Sequence, residues 1–465
     1  MSSTEALQDK FQRNVAFRIR TCLDDAADPL AAVLQAVRDG GARTGEVVLS
    51  EHTAGEATYE IDLFASSDKQ VVDIVAAIDT MNGVKVLASL DLAMESHRGG
   101  SCEMRSRSPI RSNTDLRVVY TPGVARVCKA IEADLSKARE FTGIANKVAI
   151  CTNGTAILGL GDIGTIPGLP VMEGKASIFW EFAGISAEPV LINTHDPDEF
   201  IHVMEAIAGG FGAVQVEDVK APECFRITRE LDQRLCIPVM HDDQHGTAAV
   251  VMAALFSALR KTGKRIEDLA VSMVGAGAAG TAIADLLMHE GVADVILCDS
   301  RGALYRGREE NMNPEKTALA ERTNKDNRQG SLADVMAGTD LFVGVSQPNI
   351  VTPEMVRSMN SEAIVFALAN PVSEISRDDA LQAGAAVYAD GRMINNAVCY
   401  PGIFRGALDA AAEMITMEMV TAAARAAADL AGENEIMPEM MDPATHRAVA
   451  EATRKAAGKG APLLA

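Results

Sequence analysis

The sequence predicts an α/β protein: a ferredoxin-like N-terminal domain, an α/β catalytic domain, a Rossmann-type dinucleotide domain built on a doubly wound parallel sheet, and a helical C-terminal tail. Three observations carry this. Residues 14–93 alternate between strand and helix patterns in the order β-α-β-β-α-β. From about residue 116 short apolar runs alternate with helical ones, the mark of parallel sheets covered on both faces. One glycine motif, GAGAAG (275–280), sits between a strand and a helix. At 465 residues the chain exceeds a single simple core, so several domains are expected.

In order, NVAFRIR (14–20) alternates as a strand, and DPLAAVLQAVRDGG (28–41) has helical spacing ending in glycine. GEVVLSEH (45–52) and ATYEIDLFA (57–65) are two strands around a polar turn, DKQVVDIVAAIDTM (68–81) is a helix, and GVKVLASLDL (83–92) is a last strand. Residues 94–115 are polar and rich in Arg, Ser and Gly, a linker arm. Strands are then expected at 147–152, 187–194, 211–218, 236–243, 269–277, 294–299, 340–346, 362–370 and 385–390. This places a catalytic domain at 116–238, the dinucleotide domain at 239–399 and an Ala- and Met-rich helical segment at 400–465.

A net charge of −21 argues against nucleic acid as a partner, because phosphate binding needs clustered Lys and Arg. The eight cysteines are scattered and form no C-x-x-C pair, which reads as reduced thiols. MSSTEALQDKFQRN has no apolar centre, so no secretion signal is expected, and no apolar run reaches the ~20 residues of a membrane span. The expected compartment is the cytoplasm.

After GAGAAG comes the helical TAIADLLMHEG and then the strand DVILCD, which ends on Asp299. Gly275 permits the tight turn, Gly277 lets the backbone approach a pyrophosphate, and Gly280 allows close helix–strand packing, with Ala276, Ala278 and Ala279 completing the loop. Asp299 is placed to accept hydrogen bonds from the adenosine ribose, which favours NAD over NADP; Arg301, two residues on, could instead hold a 2′-phosphate. The other motif, GLGDIG (159–164), is followed by TIPGLPV, whose two prolines are expected to block a helix.

Two neighbouring β-α units each end a buried strand in adjacent acids: Glu217–Asp218 and Asp242–Asp243. Ligands bind outside the carboxyl ends of parallel strands. Four converging carboxylates repel one another without a cation, and an oxygen-rich set suits Mg2+ or Mn2+. His241 and His245 flank the second pair; as ligands they would suggest zinc instead, but His245 begins a helix before Gly246 and Thr247, where capping or a hydrogen bond is the simpler reading.

YTPGVA (120–125), LGLGDIGTIPGLPVMEGK (158–175), VQVEDV (214–219), HDDQHGTA (241–248), VGAGAAG (274–280), FALANP (366–371) and NNAVCYPG (395–402) together resemble the bacterial malic enzymes. The N-terminal unit looks like the ACT regulatory domain found ahead of some members. The resemblance implies oxidative decarboxylation of L-malate to pyruvate and CO2 with NAD+ or NADP+ and Mn2+ or Mg2+, and at least a dimer. It further implies Lys175 as general base, Tyr120 as the acid that protonates the enol, and Glu217, Asp218 and Asp243 as metal ligands. Asp242 would stand beside the base, and Asn370, Asn395 and Asn396 near substrate and nicotinamide. An amine acting as base needs its pKa brought down, which a nearby cation and desolvation would favour. A malolactic enzyme, releasing lactate with the cofactor retained, carries the same motifs. Larger members carry an Arg where this chain has Ala156, so the substrate carboxylate must be anchored by other groups.

Overall fold

Alternation along β1 (Val15–Asp24) turns Ile19, Thr21 and Leu23 inward, and this face receives two helices. Helix α1 (Leu30–Asp39) buries Val33 and Val37; α2 (Asp68–Asp79) is capped by the Ser67 side chain and buries Val71, Ile74 and Ile78. With β2 (Arg43–Thr53), β3 (Glu56–Ala65) and β4 (Val84–Asp91) they form a four-stranded sheet of order β2-β3-β1-β4, every neighbour antiparallel. This is the order of a ferredoxin-like unit. The computed structural model describes residues 15–25, 29–53, 55–157, 160–370 and 372–458, and separates into Met1–Ser101 and Cys102–Ala465. The N-terminal segment read as lacking a signal, Asp28 at the start of the first expected helix, and Gly159 of the first glycine motif lie outside the described residues.

In the second unit α3 (Asn113–Val119) and α4 (Val124–Ala133) bury no residue. The arm expected at 94–115 therefore already contains the first turn of α3. A parallel sheet follows, order β6-β5-β7-β8, from β5 (Lys147–Thr152), β6 (Ser186–Leu191), β7 (Ala213–Val216) and β8 (Val239–His241). Strand β8 pairs with β7, so this sheet runs past residue 238, where the catalytic domain is expected to end. Its covering helices are α5 (Thr165–Ala183), α6 (Pro197–Ile207) and α7 (Glu223–Arg234).

Helix α5 corrects an expectation. It begins at Thr165 and runs through both Pro167 and Pro170. Pro167 lies in the first turn, where its missing N–H has no intrahelical partner to lose. Pro170 is inside the helix, so the bond to the Ile166 carbonyl is absent; Ile166 is exposed, so solvent can reach that turn. The helix ends at Gly184 in the left-handed conformation.

After β8 come α8 (Thr247–Thr262), β9 (Ala270–Val274), α9 (Ala278–His289), β10 (Asp294–Asp299), β11 (Gly302–Ala303), α10 (Pro314–Arg322), β12 (Leu341–Gly344), β13 (Ala363–Ala367) and β14 (Ala385–Asp390). The six strands order as β11-β10-β9-β12-β13-β14, parallel except for β11. The order reverses between β9 and β12, the switch point at which a doubly wound sheet opens a crevice for a ligand. Three helices, α11 (Tyr400–Asp409), α12 (Met417–Leu430) and α13 (Pro443–Ala456), close the chain. Helix α11 returns to α5: Phe179 meets Tyr400 and Phe404 edge-on at 5.1 and 5.4 Å between ring centroids.

Candidate active site

Strand β7 ends at Val216 and delivers Glu217 and Asp218 to the carboxyl edge of its sheet. The Glu217 N–H donates to the Cys151 carbonyl at 2.9 Å, and the Asp218 carbonyl accepts from Ala156 N–H at 3.0 Å. Asp218 has φ of +50°, a left-handed conformation uncommon outside glycine and enriched at functional sites. The amide of Gln215 donates to Glu217 Oε2 at 2.5 Å and fixes its rotamer.

Strand β8 ends at His241, and Asp242–Gly246 form a π-helical turn that leads into α8. Such turns are rare and recur at functional sites. Gly246 is required: a Cβ there would lie 1.9 Å from Asp242 Oδ1. The turn puts Asp242 fully inside and leaves Asp243 half-exposed.

Lys175 projects from the third turn of α5 into this acidic edge, its side chain 14% exposed. Its Nζ lies 3.0 Å from Glu217 Oε1 and also bonds Asp242 Oδ2. Asn396 donates to the same Asp242 oxygen at 2.6 Å, while Asn395 caps its own short helix by accepting from Ala397 N–H at 2.9 Å. The ammonium stands 4.7 Å from the centroid of the buried Tyr400 ring. Burial, the largest single effect, pushes the Lys175 ammonium down, but Asp242 and Glu217 overcome it and hold the pKa well above the ordinary lysine range. Burial alone therefore does not bring this pKa down as a base requires. The carboxylates that position the amine also keep it protonated.

One oxygen from each of Glu217, Asp218 and Asp243 lies within 4.8 Å of the others. Burial raises the Glu217 pKa most; Lys175 opposes it, and Asp242, Asp243 and Asp218 add to the rise. Asp242 Oδ1 is buried without a hydrogen-bond partner. An all-oxygen set under such repulsion fits a hard divalent cation. His241 is buried with its Nδ1 3.9 Å from Asp243 Oδ2, and burial lowers its pKa; burial also takes His245 down to about 3, so both rings are neutral.

The dinucleotide loop has the shape expected of it. Gly275 has φ of +106°, and a Cβ there would lie 2.5 Å from the Val345 carbonyl oxygen. Nothing stands within 4 Å of a Cβ built on Gly277, which leaves room for a phosphate above the start of α9. A Cβ on Gly280 would sit 1.8 Å from the Gly275 oxygen. Ala276 and Ala279 pack against the main core and Ala278 against the core of the four-stranded sheet. Asp299 ends β10 but is heavily engaged. It accepts from Arg301 N–H (2.8 Å), Arg308 (2.6 Å), Asn311 (2.9 Å) and Lys316 (2.8 Å). Partial burial raises its pKa, but Lys316 and Arg308 pull it lower overall. Asn370 is exposed just beyond β13.

Two placements differ from the constellation that motif order suggests. Tyr120 follows α3 and is 65% exposed, with no hydrogen-bond partner for its hydroxyl among the described residues. Tyr400, in contrast, reaches Lys175, although in sequence it reads as one more core aromatic. Gln215 is likewise invisible in sequence because strand alternation says nothing about which polar residue braces which acid.

Residues 100–196 match the family described as malic enzyme, N-terminal domain, and residues 244–394 match malic enzyme, NAD binding domain. The chain is 44% identical over 423 residues to the NAD-dependent malic enzyme of Geobacillus stearothermophilus, covering 90% of this chain and 88% of the relative. It is 46% identical over 368 residues to the bifunctional malic/malolactic enzyme of Bacillus subtilis (strain 168), covering 78% and 90%. The crystal structure of a malic enzyme from Pyrococcus horikoshii matches with a TM-score of 0.76 at 39% identity, covering 80% of this chain and 92% of that one.

The contact between Gly280 and Gly275 yields a prediction. Gly280→Ala should push α9 off the turn and weaken binding of the reduced dinucleotide at least tenfold, read by its fluorescence on titration. Unchanged binding would remove this turn from the cofactor site.

Proposed function

The chain belongs to the malic enzyme family, and from that premise we propose that it oxidatively decarboxylates L-malate to pyruvate and CO2 while reducing NAD+. The observation that carries the reading is a buried lysine ammonium held between Asp242 and Glu217, beside three carboxylates whose oxygens converge. Glu217, Asp218 and Asp243 would hold Mn2+ or Mg2+, which when bound supplies Lewis acidity at the reacting oxygen. Lys175 serves as base for the C2 hydroxyl proton as hydride leaves C2 for the nicotinamide, which requires it first to give up its own proton to solvent; a divalent cation on Glu217, Asp218 and Asp243 would lower the ammonium pKa toward that. Asp242 accepts from the amine and holds it on line, itself steadied by Asn396. Tyr120 gives the proton that the enol carbon needs after CO2 departs, while Asn370 and Asn395 line the substrate and nicotinamide side. With no arginine at Ala156, the malate carboxylate is anchored by the Asn residues, by backbone amides of the glycine loop before α5, or by a neighbouring subunit.

NAD+ is the proposed cofactor because the strand after the glycine turn ends on an acid, Asp299, which would repel a 2′-phosphate, and Arg301, which could receive that phosphate, is paired with Glu310 at 3.1 Å. NADP+ use would require Arg301 to leave that pair. The N-terminal unit is proposed as an ACT-like sensor of a small effector. A homo-oligomer, at least a dimer, is supported by the exposed Met104, Ile110, Val118 and Leu135 along the arm and the helices that follow it. No described helix is long and apolar enough to cross a membrane. A cytoplasmic setting and the absence of nucleic-acid partners are supported by the free cysteines and the acidic charge.

Absorbance at 340 nm with L-malate, Mn2+ and either dinucleotide, with pyruvate and lactate assayed in the same tube, tests the reaction. Reduced cofactor equimolar with pyruvate is expected. Lactate without reduced cofactor would favour the malolactic reading, which the Bacillus subtilis bifunctional relative keeps in view. In the same assay Tyr400→Phe should stay within about twofold of the parent, whereas Tyr400→Leu, which removes the ring beneath Lys175, should lower kcat about tenfold. An equal loss in both would transfer the role from the ring to the hydroxyl.

A further inference from the structure

Glu374 is a fully buried carboxylate with no Lys, Arg or His in ion-pair contact among the described residues. It lies in the loop after β13, in the stretch ANPVSE. Its Oε1 accepts the Ser346 N–H at 2.9 Å and its Oε2 accepts the Ala369 N–H at 3.0 Å. Ser346 lies two residues beyond β12 and Ala369 two residues beyond β13. One side chain therefore ties together the two loops that leave adjacent strands at the carboxyl edge.

The main chain around it follows the same path. The Glu374 carbonyl accepts from Val351 N–H at 3.0 Å, and the Ser373 carbonyl from Asn349 N–H at 3.1 Å. Space has been cleared for the carboxylate as well. A Cβ on Gly344, the last residue of β12, would lie 2.4 Å from Glu374 Cδ. Val345, between Gly344 and Ser346, is the residue whose carbonyl oxygen would lie 2.5 Å from a Cβ on Gly275 of the dinucleotide turn. The contact chain thus runs from Gly275 through Val345 and Ser346 to Glu374, and on to Ala369 and its neighbour Asn370.

A buried carboxylate without a counter-ion costs stability, and two backbone donors recover only part of that cost. An apolar side chain would leave the Ser346 and Ala369 N–H groups without acceptors, so what the carboxylate supplies is the tie between the two loops. We propose that Glu374 is a positioning residue for the cofactor: it clasps the loops after β12 and β13 so that the turn at Gly275 and the amide of Asn370 are held in register for one dinucleotide. The inference rests on the proposed dinucleotide site.

The test uses two variants of the full chain with different chemistry. Glu374→Gln replaces one acceptor by an NH2 group, which cannot accept, so one of the two backbone N–H groups loses its partner. Gly344→Ala keeps the carboxylate and displaces it sterically. Dissociation constants for reduced dinucleotide are measured by fluorescence titration, beside KM for dinucleotide and for malate. Both variants should weaken dinucleotide binding about tenfold and change the malate KM less than about twofold. Cofactor affinity within twofold of the parent in both variants would overturn the proposal, as would an equal rise in both constants. If the parent itself binds neither dinucleotide, the cofactor site fails instead, which is a separate result.

Discussion

The ion cluster around Lys175 is the constraint on which the rest of the site depends. An ammonium that is almost out of water needs a counter-charge, and Asp242 and Glu217 both supply it. The same acids crowd against Asp218 and Asp243, so charge balance is shared among five groups. Removing one partner from such a buried set costs about 3–5 kcal/mol, because the remaining charges lose their compensation. Lysine and the proposed divalent cation would therefore draw on overlapping carboxylates. Glu217 is the shared member: it faces Lys175 and belongs to the convergent oxygen set.

The fold brings these groups together by a simple device. Two parallel strands, β7 and β8, end side by side and each releases an acidic pair at the same edge. The π-helical turn after β8 splits its pair, sending Asp242 inward to the lysine and Asp243 outward to the oxygens of Glu217 and Asp218. Helix α5 then lays Lys175 across the edge, and α11 backs it with Tyr400. The six-stranded sheet contributes the dinucleotide turn at its switch point.

Much of this was legible in the sequence, and the unread parts have physical reasons. Strand-end acids are visible because apolar strands stop abruptly at Val216 and His241. The glycine turn at 275–280 is visible because only glycine meets its backbone and contact demands. The helix bearing Lys175 was hidden by Pro167 and Pro170, which rule out a helix by propensity but are tolerated where one lies in the first turn and the other on an exposed face. Tyr400 and Glu374 were hidden because burial, which gives each its role, is a property of the folded chain. The two acid-bearing strands are legible as neighbouring β-α units, but the β7–β8 register that carries the sheet past residue 238 is set only in the folded chain. The protonation of Lys175 depends on distances that no spacing encodes.

The competition between lysine and cation is the central claim, and Mn2+ binding to Lys175→Met by isothermal titration calorimetry tests it most directly. Removing the ammonium frees Glu217 and deletes a repelling charge, so Mn2+ should bind at least as tightly as in the parent while malate turnover disappears. Markedly weaker Mn2+ binding, or turnover near the parent level, would contradict the account.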